Sequence, residues 1–234
     1  MREKLYSFEL KNTSHLYKVA LSLIDYSDNI FNCEIINFVQ TYKFDLSNMT
    51  DHRKYEYILG RYGSVKAVEQ LMECSRLYIK SGIFNNPYLI GVDSIDISIA
   101  HSDNYVTAIA FDRDIIIGLD CQTIDTRTSI ENIWNSLTNK EKEIINSCLW
   151  DPEKMITAFW TMKESIAKAI KTGLMMAMDI LEITEIVYSN DKIMGYMKNF
   201  SQYKIATYIV DDLVISIAFP KVLDICGLNL NKRS

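Results

Sequence analysis

The chain has 234 residues, 48% hydrophobic and 24% charged, ordinary for a globular protein with one substantial core or two smaller ones. Its net charge of −5 argues against indiscriminate nucleic-acid binding, and no apolar run approaches the ~20 residues of a membrane span. The five cysteines (Cys33, Cys74, Cys121, Cys148 and Cys226) are odd in number and scattered without a CxxC spacing, which favours reduced thiols over a zinc site.

Met1–Leu10 alternates charged and apolar residues, unlike a signal peptide. With the thiols, this points to a cytoplasmic protein without membrane contact. Leu5–Leu10 reads as a short strand. His15–Tyr26 reads as a helix, because Leu16, Val19, Ala20 and Leu23 share one side. From Asp28 to Thr50 neither period is clean, although Phe31, Ile35, Ile36, Phe38 and Val39 must supply core. Asp51–Ile79 reads as the first long helix, with Asp51 as N-cap and Ser81-Gly82 as its end. Gly60 and Gly63 inside it each cost ~1 kcal/mol relative to Ala; they mark either a close backbone approach or a tolerated pair.

Ile95, Ile97 and Ile99 alternate with Asp96, Ser98 and Ala100, a half-buried strand running into His101-Ser102. Tyr105–Phe111 and Ile115–Asp120 follow as a hairpin about Asp112-Arg113-Asp114, which would bring His101 and Asp120 to one rim. Ser129–Trp150 looks helical with a break at Leu137-Thr138. A further helix starts at Asp151-Pro152 and stops at Gly173. Strands at Ile183–Tyr188, Lys192–Met197, Tyr203–Val210 and Leu213–Phe219 come next, with a turn at 189–191, and a polar tail runs from Ile225. Each half thus pairs a long helix with a small antiparallel sheet. The pattern predicts an α+β fold of two similar lobes related by a pseudo-twofold, 1–112 and 113–234, with the site at their interface.

On the helix containing Phe159–Leu174, at ~100° per residue, Trp160, Glu164, Lys168 and Lys171 share one sector. Phe159, Met162, Ile166 and Ile170 lie opposite, and Lys163 sits at the margin. One face can pack while the other presents a carboxylate among ammonium groups, which suits holding a metal against an anionic substrate. The same pattern also describes a surface helix with a Glu164–Lys168 pair contributing ~0.3–0.5 kcal/mol.

Three separated pieces occur in a specific order: SIAHSDNY, IIGLDCQ and FWTMKES with Lys168 beyond it. Together they resemble the 4′-phosphopantetheinyl transferase superfamily, whose hallmarks are a strand ending in (I/V)G(I/V/L)D and a later W-x-x-K-E-x-x-x-K. The first is Ile117-Gly118-Leu119-Asp120 and the second runs from Trp160 to Lys168. His101-Ser102 resembles the S-H-S element of the large, two-lobed class, and Arg53-Lys54-Tyr55-Glu56 with Gly60-Arg61 resembles its enterobactin-synthase branch.

The resemblance implies transfer of the 4′-phosphopantetheine arm of coenzyme A to a serine of an apo acyl, peptidyl or aryl carrier protein, releasing 3′,5′-ADP. The carrier would belong to a nonribosomal peptide, polyketide, siderophore or fatty-acid system. It implies Mg²⁺ held by Asp120 and Glu164, Glu164 as base for the carrier serine, and Lys168 on phosphate. Lys163 would assist, His101 and Ser102 would meet the 3′-phosphate, and Arg53 and Arg61 other phosphates. Two lobes in one chain make a monomer sufficient. Two departures stand out. Asp120-Cys121-Gln122 has an amide where the family usually has a second acid, leaving Gln122 a weaker metal ligand or a water holder. Asn85-Asn86-Pro87 replaces the usual Gly-Lys-Pro. The first departure leaves an alternative open: a catalytically impaired member that binds coenzyme A or a carrier protein without transferring.

Overall fold

The computed structural model describes residues 1–27, 32–74, 76–82, 86–124, 127–189 and 191–230. Asp28, Phe31 and Asn85, each named above, and position 190 of the expected turn lie outside them. The first half runs β1 (Arg2–Lys11), β2 (Leu16–Asp25), α1 (Cys33–Tyr42), α2 (Asp51–Glu69), β3 (Tyr78–Ser81), β4 (Pro87–Ile90), β5 (Ile95–Ser102) and β6 (Tyr105–Asp112). The second runs β7 (Gly118–Thr123), α3 (Arg127–Ser136), α4 (Asn139–Ser147), α5 (Pro152–Ala169), β8 (Ile183–Ser189), β9 (Lys192–Met197), β10 (Tyr203–Val210), β11 (Leu213–Pro220) and β12 (Asp224–Cys226). Two five-stranded antiparallel sheets result, ordered β12-β1-β2-β6-β5 and β7-β11-β10-β9-β8, beside the small β3–β4 hairpin. The expected α+β class holds, with helices packed on each sheet. Among the described residues no helix is long and apolar enough to cross a membrane.

The layers follow from side-chain alternation. Val19, Leu21, Leu23, Ile109 and Phe111 of the first sheet share a core with Leu119, Tyr208, Ile215, Ile217 and Phe219 of the second. Their neighbours in sequence point outward: Ile24 and Val106 meet Leu59 and Tyr62 of α2, and Ile205 and Ala218 meet Phe159, Met162 and Ile166 of α5. Each such side chain taken from water contributes roughly 1.5–3 kcal/mol.

Several expectations are corrected. His15–Tyr26 is strand β2, not a helix. It lies between β1 and β6 with Val19–Ile24 buried throughout, and a strand buried on both faces carries no period of two. The first long helix stops at Glu69, and Tyr78–Ser81 instead pairs with β4, the next strand, as a hairpin. Thr50 caps that helix in place of Asp51, accepting from the Arg53 N–H. The turn at Asp112–Asp114 joins no hairpin. β6 pairs with β2 and β5 while β7 pairs with β11, so this stretch carries the chain from one sheet to the other, burying Ile115 and Ile117 on the way. The helix expected to stop at Gly173 ends at Ala169. The tail from Ile225 is not simply polar: β12 pairs with β1, and Leu228 and Leu230 are buried.

Gly60 resolves in favour of close approach. A Cβ there would stand 2.9 Å from Ile99 Cγ2, so α2 lies close to β5.

Candidate active site

The site forms where the outer strands of the two sheets, β5 and β7, lie side by side. They are joined by side chains rather than by a backbone ladder. Ser98 Oγ accepts the Leu119 N–H at 3.2 Å, and Ser102 Oγ accepts the Thr123 N–H at 3.0 Å. Alternation on β7 sends Leu119 and Cys121 into the shared core and leaves Gly118 and Asp120 beneath α5. Gly118 sets the height of that helix. A Cβ on it would fall 1.9 Å from the Ser165 carbonyl oxygen and 2.5 Å from the Ala169 nitrogen.

With α5 seated this low, Lys168 reaches Asp120. Its Nζ donates to Asp120 Oδ1 at 2.7 Å and to the Ile99 carbonyl at 3.3 Å. Asp120 is 2% exposed, and its Oδ2 is buried without a hydrogen-bond partner. Burial pushes the Asp120 carboxyl up against the direct pull of Lys168. Burial works downward on Lys168, but Asp120 and Glu164 outweigh it and hold the ammonium charged. One positive charge therefore serves two carboxylates. Asp120 takes it by direct contact, and Glu164 is pushed up to about 7, by burial first and by the charge of Asp120 second.

That shift has a measurable sign. Between the ordinary carboxyl value of 4.5 and about 7, the native protein holds a proton at Glu164 that the unfolded chain has released. In the absence of divalent cations, stability is expected to fall by up to about 3 kcal/mol as pH rises through that window. Urea unfolding from pH 5 to pH 8 checks this, and Glu164→Gln should remove that part of the slope.

The other expected residues are distributed unevenly. His101 projects toward α2, where its Nδ1 lies 2.8 Å from Glu56 Oε1 and its Nε2 lies 3.0 Å from Arg53 Nη1. Burial lowers its pKa, with Lys168, Arg53 and His52 adding to that and Glu56 opposing. A neutral ring that donates from Nδ1 to Glu56 and accepts from Arg53 at Nε2 satisfies both contacts. The positive charge at this end of β5 thus belongs to Arg53. Glu56, which also pairs with Arg53 at 2.9 Å, organises the group, and sequence reasoning passed over it. Its only signal is the (i, i+3) spacing from Arg53.

Arg61 is not brought to the Asp120 cluster. It is buried with its guanidinium 3.3 Å from the Tyr57 ring and donates to Ser81 Oγ, behind the hairpin whose Pro87 lines the cleft. Lys163 is also elsewhere. Fully buried, it donates to Glu141 Oε2 at 2.8 Å and to the Met178 carbonyl at 2.9 Å. The same Glu141 accepts the N–H groups of Thr138 and Ile183, tying together the α4 cap, α5 and β8. Lys163 thus holds α5 in place. Glu141→Ala would strand a buried ammonium, with an expected loss of about 3–5 kcal/mol in denaturant unfolding.

A cleft of about 700 Å³ runs along the free edge of β5, lined by Tyr88, Ile97, Ile99, Glu164, Lys168 and Lys171 among others. Gln122 and Ser102 line a second cavity of about 460 Å³ together with Ile130, Ile133 and Trp160. Gln122 Oε1 accepts from Ser102 Oγ at 3.2 Å, so its amide oxygen is already engaged.

A buried carboxylate beside a partly buried one, a lysine bonded to the first and a flanking cleft of about 700 Å³ stand on a strand and helix carrying I-G-L-D and W-x-x-K-E. Residues 116–218 match the 4′-phosphopantetheinyl transferase superfamily. The matched domain contains Asp120, Gln122, Lys163, Glu164 and Lys168, while His101, Ser102, Arg53 and Arg61 precede it. No curated protein matches the chain significantly. The superfamily is named for moving 4′-phosphopantetheine, and its members typically use Mg²⁺ and coenzyme A. Among the described residues no three His, Cys, Asp or Glu side chains are grouped to hold a metal. The residues present nonetheless fit Mg²⁺. The unpartnered Asp120 Oδ2 and the adjacent Glu164 offer hard oxygens, and this ion commonly takes one or two carboxylates and completes its shell with water and substrate phosphate.

Proposed function

We propose that this protein transfers the 4′-phosphopantetheine arm of coenzyme A to a serine hydroxyl of an apo carrier protein. The observation that carries the proposal is the Asp120–Lys168–Glu164 cluster, buried beside the cleft and held within the matched domain. Asp120 and Glu164 would hold Mg²⁺, which would supply charge neutralisation at the diphosphate.

In the reaction, the serine oxygen forms a bond to the phosphorus that bears pantetheine. The bond from that phosphorus to the bridging oxygen breaks, and 3′,5′-ADP leaves with the electron pair. The serine proton passes to a Glu164 carboxylate oxygen. The Lys168 ammonium, fixed by Asp120 and the Ile99 carbonyl, stabilises negative charge on the departing phosphate without having to reorganise. Arg53, oriented by Glu56 and His101, offers a second phosphate contact. Both lobes, 1–112 and 113–234, contribute side chains, so one copy suffices.

The second reading, binding without transfer, draws on Gln122, whose neutral oxygen is turned to Ser102. One experiment separates the two. The protein is incubated with coenzyme A, Mg²⁺ and an apo carrier domain, and the carrier mass and released 3′,5′-ADP are followed. A mass gain of one phosphopantetheine arm is expected. Coenzyme A binding with no mass gain at any Mg²⁺ concentration would leave only the binding module, and neither binding nor transfer would remove both.

A further inference from the structure

The C-terminus of α5 contains a residue that local backbone preference does not explain. The Thr172 N–H bonds to the Ala167 carbonyl and the Lys171 N–H to the Lys168 carbonyl, both at 3.1 Å, closing a Schellman motif with Lys171 at its left-handed position. Its φ is 58°, where glycine is the usual occupant because a Cβ is strained there. A lysine at this point gives up backbone ease and gains a side chain that reaches from α5 to the other sheet. Its Nζ lies 2.9 Å from Asp96 Oδ2 on β5, while Asp96 Oδ1 accepts the Ile97 N–H. The Lys171 side chain is 53% exposed and lines the cleft that also holds Lys168 and Glu164.

Along β5 the cations are strung in order: Lys171 at Asp96, Lys168 at the Ile99 carbonyl, Arg53 at His101. At ~3.3 Å per residue these stations are about 10 Å and about 7 Å apart. That spread suits a ligand with several separated anionic groups and exceeds what one phosphate needs. The lysine end of the pair is half exposed, and Asp96, only 13% exposed, keeps the Ile97 N–H when the ammonium leaves, so the carboxylate is not stranded by the exchange.

We infer that Lys171 is a substrate-binding residue: Asp96 holds its ammonium at the cleft wall until a phosphate oxygen of the 3′,5′-ADP portion of coenzyme A displaces the carboxylate. The inference rests on the transferase reading above. Lys171 makes its contact at the nucleotide end and takes no part in proton transfer, so its loss should fall on the KM for coenzyme A rather than on kcat.

The test is calorimetric binding of 3′,5′-ADP and of coenzyme A to the full chain, alongside transfer kinetics. Lys171→Gly suits the left-handed backbone, and a cooperative melt with native circular dichroism verifies its fold. It should bind both ligands about tenfold more weakly, the scale of one charge-assisted contact, and Lys171→Arg should restore most of that. Asp96→Asn, which releases the lysine, should tighten binding a few-fold. Parent-like affinity in Lys171→Gly would overturn the inference while leaving the transferase reading intact. Weakening by Asp96→Asn as large as that by Lys171→Gly would overturn the exchange. Failure of the parent protein to bind either ligand would overturn both the inference and the reading it rests on.

Discussion

Glu164→Gln is expected to reduce phosphopantetheine transfer by about 10³-fold while leaving the protein folded. The amide fills the same space and cannot accept the serine proton, and removal of a general base typically costs 10²–10⁴-fold. Folding should survive for a reason particular to this site. Burial and then the charge of Asp120 push Glu164 up to about 7, so the metal-free native protein holds it protonated below that pH, and a neutral amide resembles that state. At pH 8, where the carboxylate is an uncompensated buried charge, the variant should melt no lower than the parent. The check is a pair of measurements, carrier mass gain over time and thermal melting at pH 8. Transfer within tenfold of the parent would refute the assignment of Glu164.

Gly118→Ala should be the most damaging small change in the molecule. The added methyl meets the Ser165 carbonyl at 1.9 Å and the Ala169 nitrogen at 2.5 Å, both backbone atoms that no rotamer change can move. Helix α5 would have to rise from β7, pulling Phe159, Met162 and Ile166 out of a close-packed core. We expect a loss of about 3–5 kcal/mol, or roughly 10 °C in Tm for a chain of this size. Transfer should fall further than stability alone dictates, because an ångström of displacement parts Lys168 from Asp120 and misplaced catalytic groups lose about 10²-fold. A variant melting within a couple of degrees of the parent would show that α5 does not rest on this glycine.

The glycine also marks how far the sequence could be read. Its place in I-G-L-D was visible, but its reason, the helix backbone at Ser165 and Ala169 on a distant element, was not. The shared face of Glu164 and Lys168 was legible from the helical period, whereas Asp120, expected to end its strand, stands inside β7 and was tied to them only by the motif. Lys163 misled for the converse reason. It belongs to the same short motif, yet its partner Glu141 lies on another helix, and no local spacing reveals that pairing. His101 was correctly noticed as a polar strand end, but its protonation is set by Glu56 and Arg53 from α2. Among the elements, β5 announced itself by the alternation of Ile95, Ile97 and Ile99 with smaller or polar residues. Central β2, buried on both faces, imitated a helix, and the short β12 gains meaning only from a distant partner.

The placement of β12 bears on how the molecule is made. It pairs with β1 at Glu9–Cys226, Leu10–Ile225 and Lys11–Asp224, so the sheet begun by β1 is completed by a strand made only after the whole second sheet. Until then the outer edge of β1 has open hydrogen-bonding groups and can recruit strands from other nascent chains. The first sheet therefore stays incomplete while every strand of the second is being made.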